Sequence, residues 1–401
     1  MLGAEQVDLG AIEPGTVLVA HDFTPSMTGK MNREHVAAIV AEVGGMPSHS
    51  AILARAMGIP AVLSVSGAVE ALHTGQCVAV DGFRGTVLPE PTPEQTAEFK
   101  RRQREYLAER EALNRYCNLP TVTKNGVKKA VYGNIGKPED VQAVVQNGGE
   151  GIGLFRTEFL FMDRMSRPTE AEQFEAYATV AKAMNGREVI IRTLDIGGDK
   201  EIPYLEIEKE DNPFLGHRAI RYCLDHPDLF CDQIRAILRA AKFGDLKLML
   251  PLITCKEEIL AAKKLIEQCL RELIEAGEDV HPVPVGIMVE TPAAALTAAE
   301  LAKEVDFFSI GTNDLTGYVM AVDRGNQAVA RLYDPMQPAV LSAIEMTIKA
   351  AKAAGIPVGM CGEGAADPRL IPHLLAWGLD EFSVSASSIL KTRKMISEEE
   401  A

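Results

Sequence analysis

The 401-residue sequence lacks several features that mark specialised classes of protein. No apolar run approaches the roughly 20 residues that a membrane-spanning helix needs, and the first residues carry no basic-then-apolar secretion signal. The seven cysteines are scattered without zinc-finger or CxxC spacing. An odd number of widely spaced cysteines is typical of reduced thiols in a cytoplasm. A cytoplasmic protein without membrane insertion is therefore expected.

Positive charge is also in deficit. Lys and Arg total 41 against 56 Asp and Glu, which gives a formal net charge of −15. Nucleic acid and anionic membrane surfaces would repel such a chain, so neither is expected as the main partner. The length indicates two domains or three.

Residues 1–92 predict a small α/β domain. They are rich in Gly, Ala and Val, and turn residues separate their short β-branched runs. One helical pattern interrupts the strands, from Ser50 to Met57. The predicted strands are Thr16–Ala20, His35–Val40, Ala61–Val65, Cys77–Val80 and Thr86–Leu88.

Residues 93–120 predict a linker helix. Prolines 89, 91 and 93 end the first domain, and residues 94–114 carry charges of both signs at helical spacing. Such a pattern is typical of an exposed helix with i,i+4 ion pairs.

Residues 121–401 alternate strand-length apolar runs with longer helical patterns, which predicts a (β/α)8 barrel. An open, doubly wound sheet remains the alternative, because spacing along the chain does not show closure. The eight runs are Ala130–Asn134, Gly151–Phe155, Glu188–Arg192, Lys247–Leu252, Val285–Val289, Phe307–Gly311, Pro357–Met360 and Phe382–Val384.

Polar or reactive side chains stand at the ends of most of these runs. In a barrel, the carboxyl ends of the strands share one face, where active sites lie. Each residue alone is more often a loop salt bridge than a ligand, but the repeated pattern favours a catalytic face. The residues at these positions are Asn134, Arg156, Arg192, Glu290, Asn313, Asp314, Cys361 and Glu363.

The residue types indicate phosphoryl transfer. Glu290 and Asp314 are oxygen ligands of the kind that Mg²⁺ accepts. Arg156, Arg192 and Arg324 offer planar donors suited to phosphate and carboxylate groups. A metal ion with several arginines suits a reaction that depends on positioning and charge stabilisation, and it implies a multiply charged anionic substrate.

A histidine in the first domain is a candidate nucleophile. Gly44 and Gly45 permit a tight turn, and Ser48 is placed to cap a helix that has His49 in its first turn,. A helix N-terminus favours a bound anion and a neutral histidine, which can accept a phosphoryl group. The alternative is a capping-region histidine without chemistry.

The stretch 44–60, GGMPSHSAILARAMGIP, resembles the phosphohistidine signature of phosphoenolpyruvate-utilising enzymes. The barrel motifs resemble one branch, the phosphoenolpyruvate–protein phosphotransferases, or enzyme I of the bacterial sugar phosphotransferase system. These motifs are GIGLFRTEFLFM (151–162), RTLDIGGDK (192–200), DNPFLGHR (211–218), GIMVETPAAA (286–295), FFSIGTNDLT (307–316), AVDRGN (321–326) and GMCGE (359–363).

The resemblance implies a swivelling phosphohistidine domain and a barrel that binds phosphoenolpyruvate with Mg²⁺. His49 would take the phosphoryl group, Thr28 would hydrogen-bond it, and Cys361 would protonate the enolate to give pyruvate. A carrier protein, HPr, would receive the phosphoryl group, and the family is a cytoplasmic homodimer through its barrels. The substrate-binding positions are Arg156, Arg192, Asn313, Asp314 and Arg324, the metal positions are Glu290 and Asp314, and Glu363 is a supporting position.

The sequence departs from that pattern at several points. The helical subdomain that docks HPr is missing, so transfer to HPr is expected to be impaired. The barrel is expected to lack its last helix, because the chain stops soon after the eighth strand. Gly317 stands where the family usually has glutamine. The alternatives are a weakened phosphoenolpyruvate-binding or dimerisation module, or a fragment of a pyruvate phosphate dikinase or phosphoenolpyruvate synthase.

Overall fold

The computed structural model describes residues 12–23, 35–44, 54, 59–162, 164–197, 202–205, 207–323, 326 and 328–401. The chain forms two compact units, Met1–Glu111 and Ala112–Ala401. In the described residues, no helix combines the length and the apolarity needed to cross a bilayer.

The first unit contains a parallel three-stranded sheet of order β1-β2-β3 and an antiparallel hairpin, β4–β5. Leu18, Phe23 and Ile39 lie in its buried core. The predicted strands are confirmed, with bounds β1 Thr16–Ala20, β2 Val36–Ala41, β3 Ala61–Val62, β4 Val78–Asp81 and β5 Thr86–Pro89. A short helix, α1 (Ala68–Ala71), follows β3.

The predicted helix after this domain is present as α2 (Pro93–Asn114), and none of its residues is buried. Arg101 pairs with Glu105 at 2.6 Å, and Arg102 pairs with Glu98 at 3.0 Å. Arg102 reaches Asp81 of β4 at 2.6 Å. The helix is therefore solvated and carries the i,i+4 pairs that its sequence predicts.

The second unit contains a closed barrel of eight parallel strands, in chain order around the ring, with β13 paired to β6. Closure excludes the open-sheet alternative and confirms the predicted barrel. The strands are β6 Ala130–Ile135, β7 Ile152–Arg156, β8 Val189–Arg192, β9 Leu246–Leu250, β10 Val285–Val289, β11 Phe308–Ile310, β12 Val358–Met360 and β13 Glu381–Ser385.

Helices surround the barrel, and a large apolar core lies between them and the strands. A smaller cluster, which includes Leu154, Met249, Met288 and Cys361, is separate from that core. The helices are α3 Val141–Gln146, α4 Glu158–Phe161, α5 Glu170–Met184, α6 Ile220–Asp225, α7 Pro227–Ala240, α8 Lys256–Glu275, α9 Pro292–Leu296, α10 Ala298–Leu301, α11 Thr312–Met320, α12 Pro338–Ala354, α13 Ile371–Trp377 and α14 Ile389–Ser397.

The expectation that no helix follows the eighth strand is wrong. Helix α14 begins four residues after β13 and buries Ile389, Leu390 and Ile396. Arg393 on the same helix is buried and donates to backbone carbonyl groups, including that of Cys117 at 3.1 Å. The short apolar stripe is enough to dock the helix, so each barrel strand is followed by a helix.

Candidate active site

The carboxyl ends of the barrel strands bring the predicted residues to one rim. Arg156 ends β7 and Arg192 ends β8, and the two are direct neighbours across this strand pair. Glu290 follows β10, and Cys361 follows β12. Asp314 lies in the first turn of α11, just after β11. Parallel strands place all five at the same end of the barrel.

Arg192 is buried at the centre of an ion-pair network. Its Nη2 lies 2.7 Å from Glu158 Oε1, and its Nη1 lies 2.8 Å from Asp195 Oδ2. Burial lowers the pKa of Arg192, but Glu158, Asp195 and Glu290 raise it more, so the net pKa is above its usual value. Its Nε has no hydrogen-bond partner among the described residues. The guanidinium stays charged and keeps one buried donor for a ligand.

Arg218 completes this network, although it was not among the predicted site residues. Its Nη2 lies 2.7 Å from Asp195 Oδ1 and 3.4 Å from Asp314 Oδ2. Asp195 therefore bridges Arg192 and Arg218. Arg218 ends the DNPFLGHR motif, in a loop that is far along the sequence from the end of any strand. The strand-end pattern could not find it, whereas the motif itself was a signal.

The carboxylates of the network fit a divalent cation. Glu290 is buried, and its Oε1 accepts from the Leu252 backbone N–H at 2.7 Å. Burial raises the pKa of Glu290 to about 8, and nearby Asp314 and Asp195 add to that rise. Within the described part of the network, two arginines face four carboxylates. A Mg²⁺ ion on Glu290 and Asp314 would supply the missing positive charge.

The described residues hold no group of three or more His, Cys, Asp or Glu side chains arranged around one metal position. A Mg²⁺ ion commonly takes one or two protein carboxylates and completes its shell with substrate oxygens and water. Two carboxylates at the rim match that coordination and would leave coordination positions on the ion for phosphate oxygens.

Arg156 differs from the other arginines of the rim. Its side chain is exposed, and it forms no ion pair with another described residue. The next strand presents Arg192 at the same level. The rim therefore offers one exposed cation beside one buried cation, which suits an anion that enters from solvent,.

The thiol of Cys361 is buried just inside the rim. Its Sγ donates weakly to the Ile310 carbonyl at 3.8 Å, and its own carbonyl accepts from Asn134 Nδ2 at 3.0 Å. Burial raises the pKa of Cys361 to about 12, and Glu381 and Glu290 contribute to the rise. The thiol is therefore protonated at neutral pH and available as an acid.

Asn313 and Glu363 meet beside this rim. The Asn313 side-chain Oδ1 accepts from the Glu363 backbone N–H at 3.0 Å, and the Tyr333 hydroxyl donates to the Asn313 carbonyl at 2.9 Å. A cavity of about 710 Å³ opens here, with Arg331 and Arg369 in its wall. Asn313 is thus held at the edge of a space large enough for a small organic anion.

Three predicted site residues lie outside the described residues: Thr28, His49 and Arg324. Most of the predicted helix at Ser50 to Met57 lies there too, although Ala54 is described and helical. Their roles stay predictions.

Comparison with known proteins identifies the family. Residues 12–85 match the PEP-utilising enzyme mobile domain, and residues 110–401 match the PEP-utilising enzyme PEP-binding domain. The chain is 48% identical over 398 residues to the phosphoenolpyruvate-protein phosphotransferase of Bacillus subtilis (strain 168), which covers 99% of this chain and 70% of that protein. The chain belongs to the phosphoenolpyruvate–protein phosphotransferase family.

Two other phosphoenolpyruvate-protein phosphotransferases show the same likeness. That of Staphylococcus carnosus (strain TM300) is 47% identical, and that of Haemophilus influenzae (strain ATCC 51907 / DSM 11121 / KW20 / Rd) is 48% identical, each over 397 residues. Each match covers 99% of this chain and 69% of the relative. The predicted resemblance and enzyme class are confirmed. This branch is thereby favoured over the dikinase and synthase alternatives.

In this phosphotransferase, Gly317 lies on α11, three residues after Asp314. A Cβ atom placed there would approach the Val322 carbonyl oxygen at 3.2 Å. The Val322 N–H in turn donates to the Gly317 carbonyl at 2.9 Å. A larger residue at position 317 would need the Val322 carbonyl to move by a few tenths of an ångström. The end of α11 is therefore folded tightly around glycine.

Proposed function

We propose that this phosphotransferase takes the phosphoryl group of phosphoenolpyruvate onto His49 and releases pyruvate. The observation that carries the proposal is the ion-pair network of the rim, where Arg192 and Arg218 are buried among carboxylates while Arg156 stays exposed. The Arg192 Nε–H, which has no partner among the described residues, and the exposed Arg156 suit a small ligand with both phosphate and carboxylate groups,.

The substrate would be held by Arg156, Arg192, Asn313 and Arg324. Arg192 retains its unpaired Nε–H among the described residues. The Asn313 Oδ1 is already used by the Glu363 N–H, so its amide nitrogen is the group left to donate to substrate. Arginine forks are suited to phosphate and carboxylate because they donate two parallel hydrogen bonds.

We assign Mg²⁺ to Glu290 and Asp314. Glu290 is held by the Leu252 backbone N–H at 2.7 Å, and Asp314 by Arg218 at 3.4 Å. Both carboxylates are therefore oriented by this chain. When bound, the ion would neutralise charge that develops on the phosphoryl oxygens.

The chemistry has two parts. The bond between phosphorus and the enol oxygen breaks as the bond between phosphorus and the His49 imidazole nitrogen forms. This leaves the enolate of pyruvate, and the Cys361 thiol gives its proton to carbon 3. A thiol with a pKa of about 12 is protonated at pH 7, and its closeness to the rim suits this role.

Phosphorylated His49 would then pass the group to a histidine of the carrier protein HPr. Thr28 would orient His49 by a hydrogen bond, and Glu363 would support Asn313 through its backbone N–H. We further propose a homodimer formed through the barrels and a cytoplasmic location. The seven cysteines are all free thiols, which suits a reducing compartment.

The intact mass of the chain after incubation with phosphoenolpyruvate and Mg²⁺ tests the proposal. One added phosphoryl group, lost in acid and stable in base, is expected. His49→Ala should gain no mass yet still bind phosphoenolpyruvate in calorimetry, and His373→Ala serves as a matched control that keeps the mass gain. Label that persists on His49→Ala would show that His49 is not the phosphoryl acceptor. An unchanged mass of the folded wild type, with tight binding of phosphoenolpyruvate, would indicate a binding module and not a transferase.

A further inference from the structure

A carboxyl group is buried inside the barrel beneath Cys361, away from the rim. Glu381 begins β13, and its Cα is level with that of Gly359 on β12. Gly359 is in turn level with Ser309 on β11. Because side chains two residues apart on a strand share a face, Cys361 lies one layer above this row of three residues.

Two glycines make the space that this carboxyl group fills. A Cβ atom at Gly359 would overlap Glu381 Oε2, and a Cβ atom at Gly153 of β7 would overlap Glu381 Oε1. Any larger residue at either position would expel the side chain. The barrel is therefore built to hold Glu381 under Cys361.

Two polar atoms in this row are buried without the hydrogen bonds that usually compensate burial. Glu381 Oε1 and Ser309 Oγ have no hydrogen-bond partner among the described residues. Ser309 nevertheless lies close enough to the Cys361 thiol to lower its pKa. Burial raises the pKa of Glu381 well above its usual value, Glu188 adds to the rise, and Lys247 opposes it. Burial therefore favours the protonated form of this carboxyl group.

The other end of this row leads to solvent at the starts of the strands. Lys247 and Glu188 form an ion pair there, and their side chains are 17% and 20% exposed. Tyr132 is half-buried, and burial raises its pKa, with Glu188 and Glu381 adding to the rise. Asp380 is the remaining charged group that acts on Glu381. Polar groups therefore continue from Glu381 to water on the side opposite the active site.

We propose that Glu381 returns a proton to Cys361 through Ser309 after each pyruvate is formed. This inference rests on the proposed function. The Cys361 thiolate takes the hydroxyl proton of Ser309, and Ser309 takes the carboxyl proton of Glu381. The Glu381 carboxylate then regains a proton from water by way of Glu188 and Lys247. One solvent proton is used for each pyruvate, and nothing is oxidised or reduced.

Two exchange rates measured together on the full chain test this route. Carbon exchange between labelled pyruvate and phosphoenolpyruvate needs only reversible transfer, in which the same thiol proton can shuttle back and forth. Deuterium uptake from heavy water at carbon 3 requires the thiol to exchange its proton with solvent. The ratio of deuterium uptake to carbon exchange therefore reports renewal of the thiol proton.

In Glu381→Gln and in Ser309→Ala, we expect this ratio to fall by about 100-fold, the lower end of what one positioned proton-transfer group contributes. Carbon exchange should change much less. Thr392→Val is the matched control, because Thr392 also has a buried hydroxyl without a hydrogen-bond partner in the described structure, but lies on α14. Its ratio should equal that of the wild type.

Carbon exchange with an unchanged ratio in both variants would overturn the proton route and leave the proposed function intact. Absence of carbon exchange in the wild type would overturn the proposed function and the route with it. If Glu381→Gln does not fold, Ser309→Ala decides alone, since removing one small hydroxyl leaves the carboxyl group in place.

Discussion

At the scale of single residues, burial sets the chemistry of Cys361. The pKa of its thiol is raised to about 12 because a thiolate would lose solvation in the barrel,. A raised pKa means that the acid form persists as pH rises. Between pH 7 and 10 we expect no thiolate from Cys361, measured as the difference in ultraviolet thiolate absorbance between the wild type and Cys361→Ser. In denaturant, the same difference should appear near the ordinary thiol pKa of about 8.5. A native signal near pH 9 would contradict the burial argument.

Cys361→Ser also tests the role of the thiol in turnover. A hydroxyl is a much weaker acid than a thiol, so pyruvate release should slow by about 100-fold or more. Binding of phosphoenolpyruvate, followed by calorimetry, should change little. Cys255→Ser is a matched control because Cys255 is exposed. Unchanged pyruvate release in Cys361→Ser would remove this residue from the mechanism.

Asp195 holds two buried arginines at once, so its charge matters more than that of a surface residue. Asp195→Asn keeps the shape but removes the carboxylate that pairs with both Arg192 and Arg218. We expect the free energy of unfolding to fall by about 3 kcal/mol, measured by denaturant titration. Glu345→Gln, which breaks an exposed pair with Lys349, should cost about 0.5 kcal/mol or less. Equal effects of the two changes would argue against the network.

At the scale of elements, α14 closes the ring of helices around the barrel. Ile389 of this helix is fully buried, whereas Lys391 is exposed. Ile389→Ala should lower the free energy of unfolding by about 3 kcal/mol, through lost burial and the cavity left behind. Lys391→Ala, on the same helix, should change it little. A negligible effect of Ile389→Ala would mean that the barrel does not depend on this helix.

Strands and helices differ in how well their sequence patterns predict them. The run Ala130–Asn134 predicts a strand, and the structure has one over Ala130–Ile135. Helix α14 was missed because its apolar stripe is short and is interrupted by the buried polar residues Thr392 and Arg393. Arg393 can be buried because the backbone carbonyls of Cys117 and Gly148, both distant in sequence, accept hydrogen bonds from its guanidinium. Local periodicity carries no signal for such a partner.

At the scale of the whole molecule, the proposed Mg²⁺ site on Glu290 and Asp314 would couple ion binding to folding. Any ligand that binds only the native state raises the unfolding midpoint. Mg²⁺ should therefore raise the thermal midpoint of the wild type, and chelation should abolish both this rise and the mass gain with phosphoenolpyruvate. Asp314→Asn should weaken both effects, while Glu345→Gln should keep them. Phosphorylation that survives in chelator would refute the assigned metal site.

Some residues of the site could be predicted from the sequence, and others could be found only from the fold. Arg192, Glu290 and Asp314 could be predicted because each follows a strand, and parallel strands end at one face. Arg218 could not be placed by that argument, because it lies in a loop well past β8 in the sequence. Only the fold brings its side chain to that of Asp195, at 2.7 Å.

The sequence by itself determined the order of strands and helices, the residue types at the strand ends and the family motifs, because these depend on local periodicity and composition. Only the tertiary structure decided that β13 pairs with β6, with Ser385 level with Asn134. Closure of that ring also placed Glu381 beneath Cys361. Pairing of distant strands depends on the stagger of the whole barrel, and local periodicity does not record that stagger.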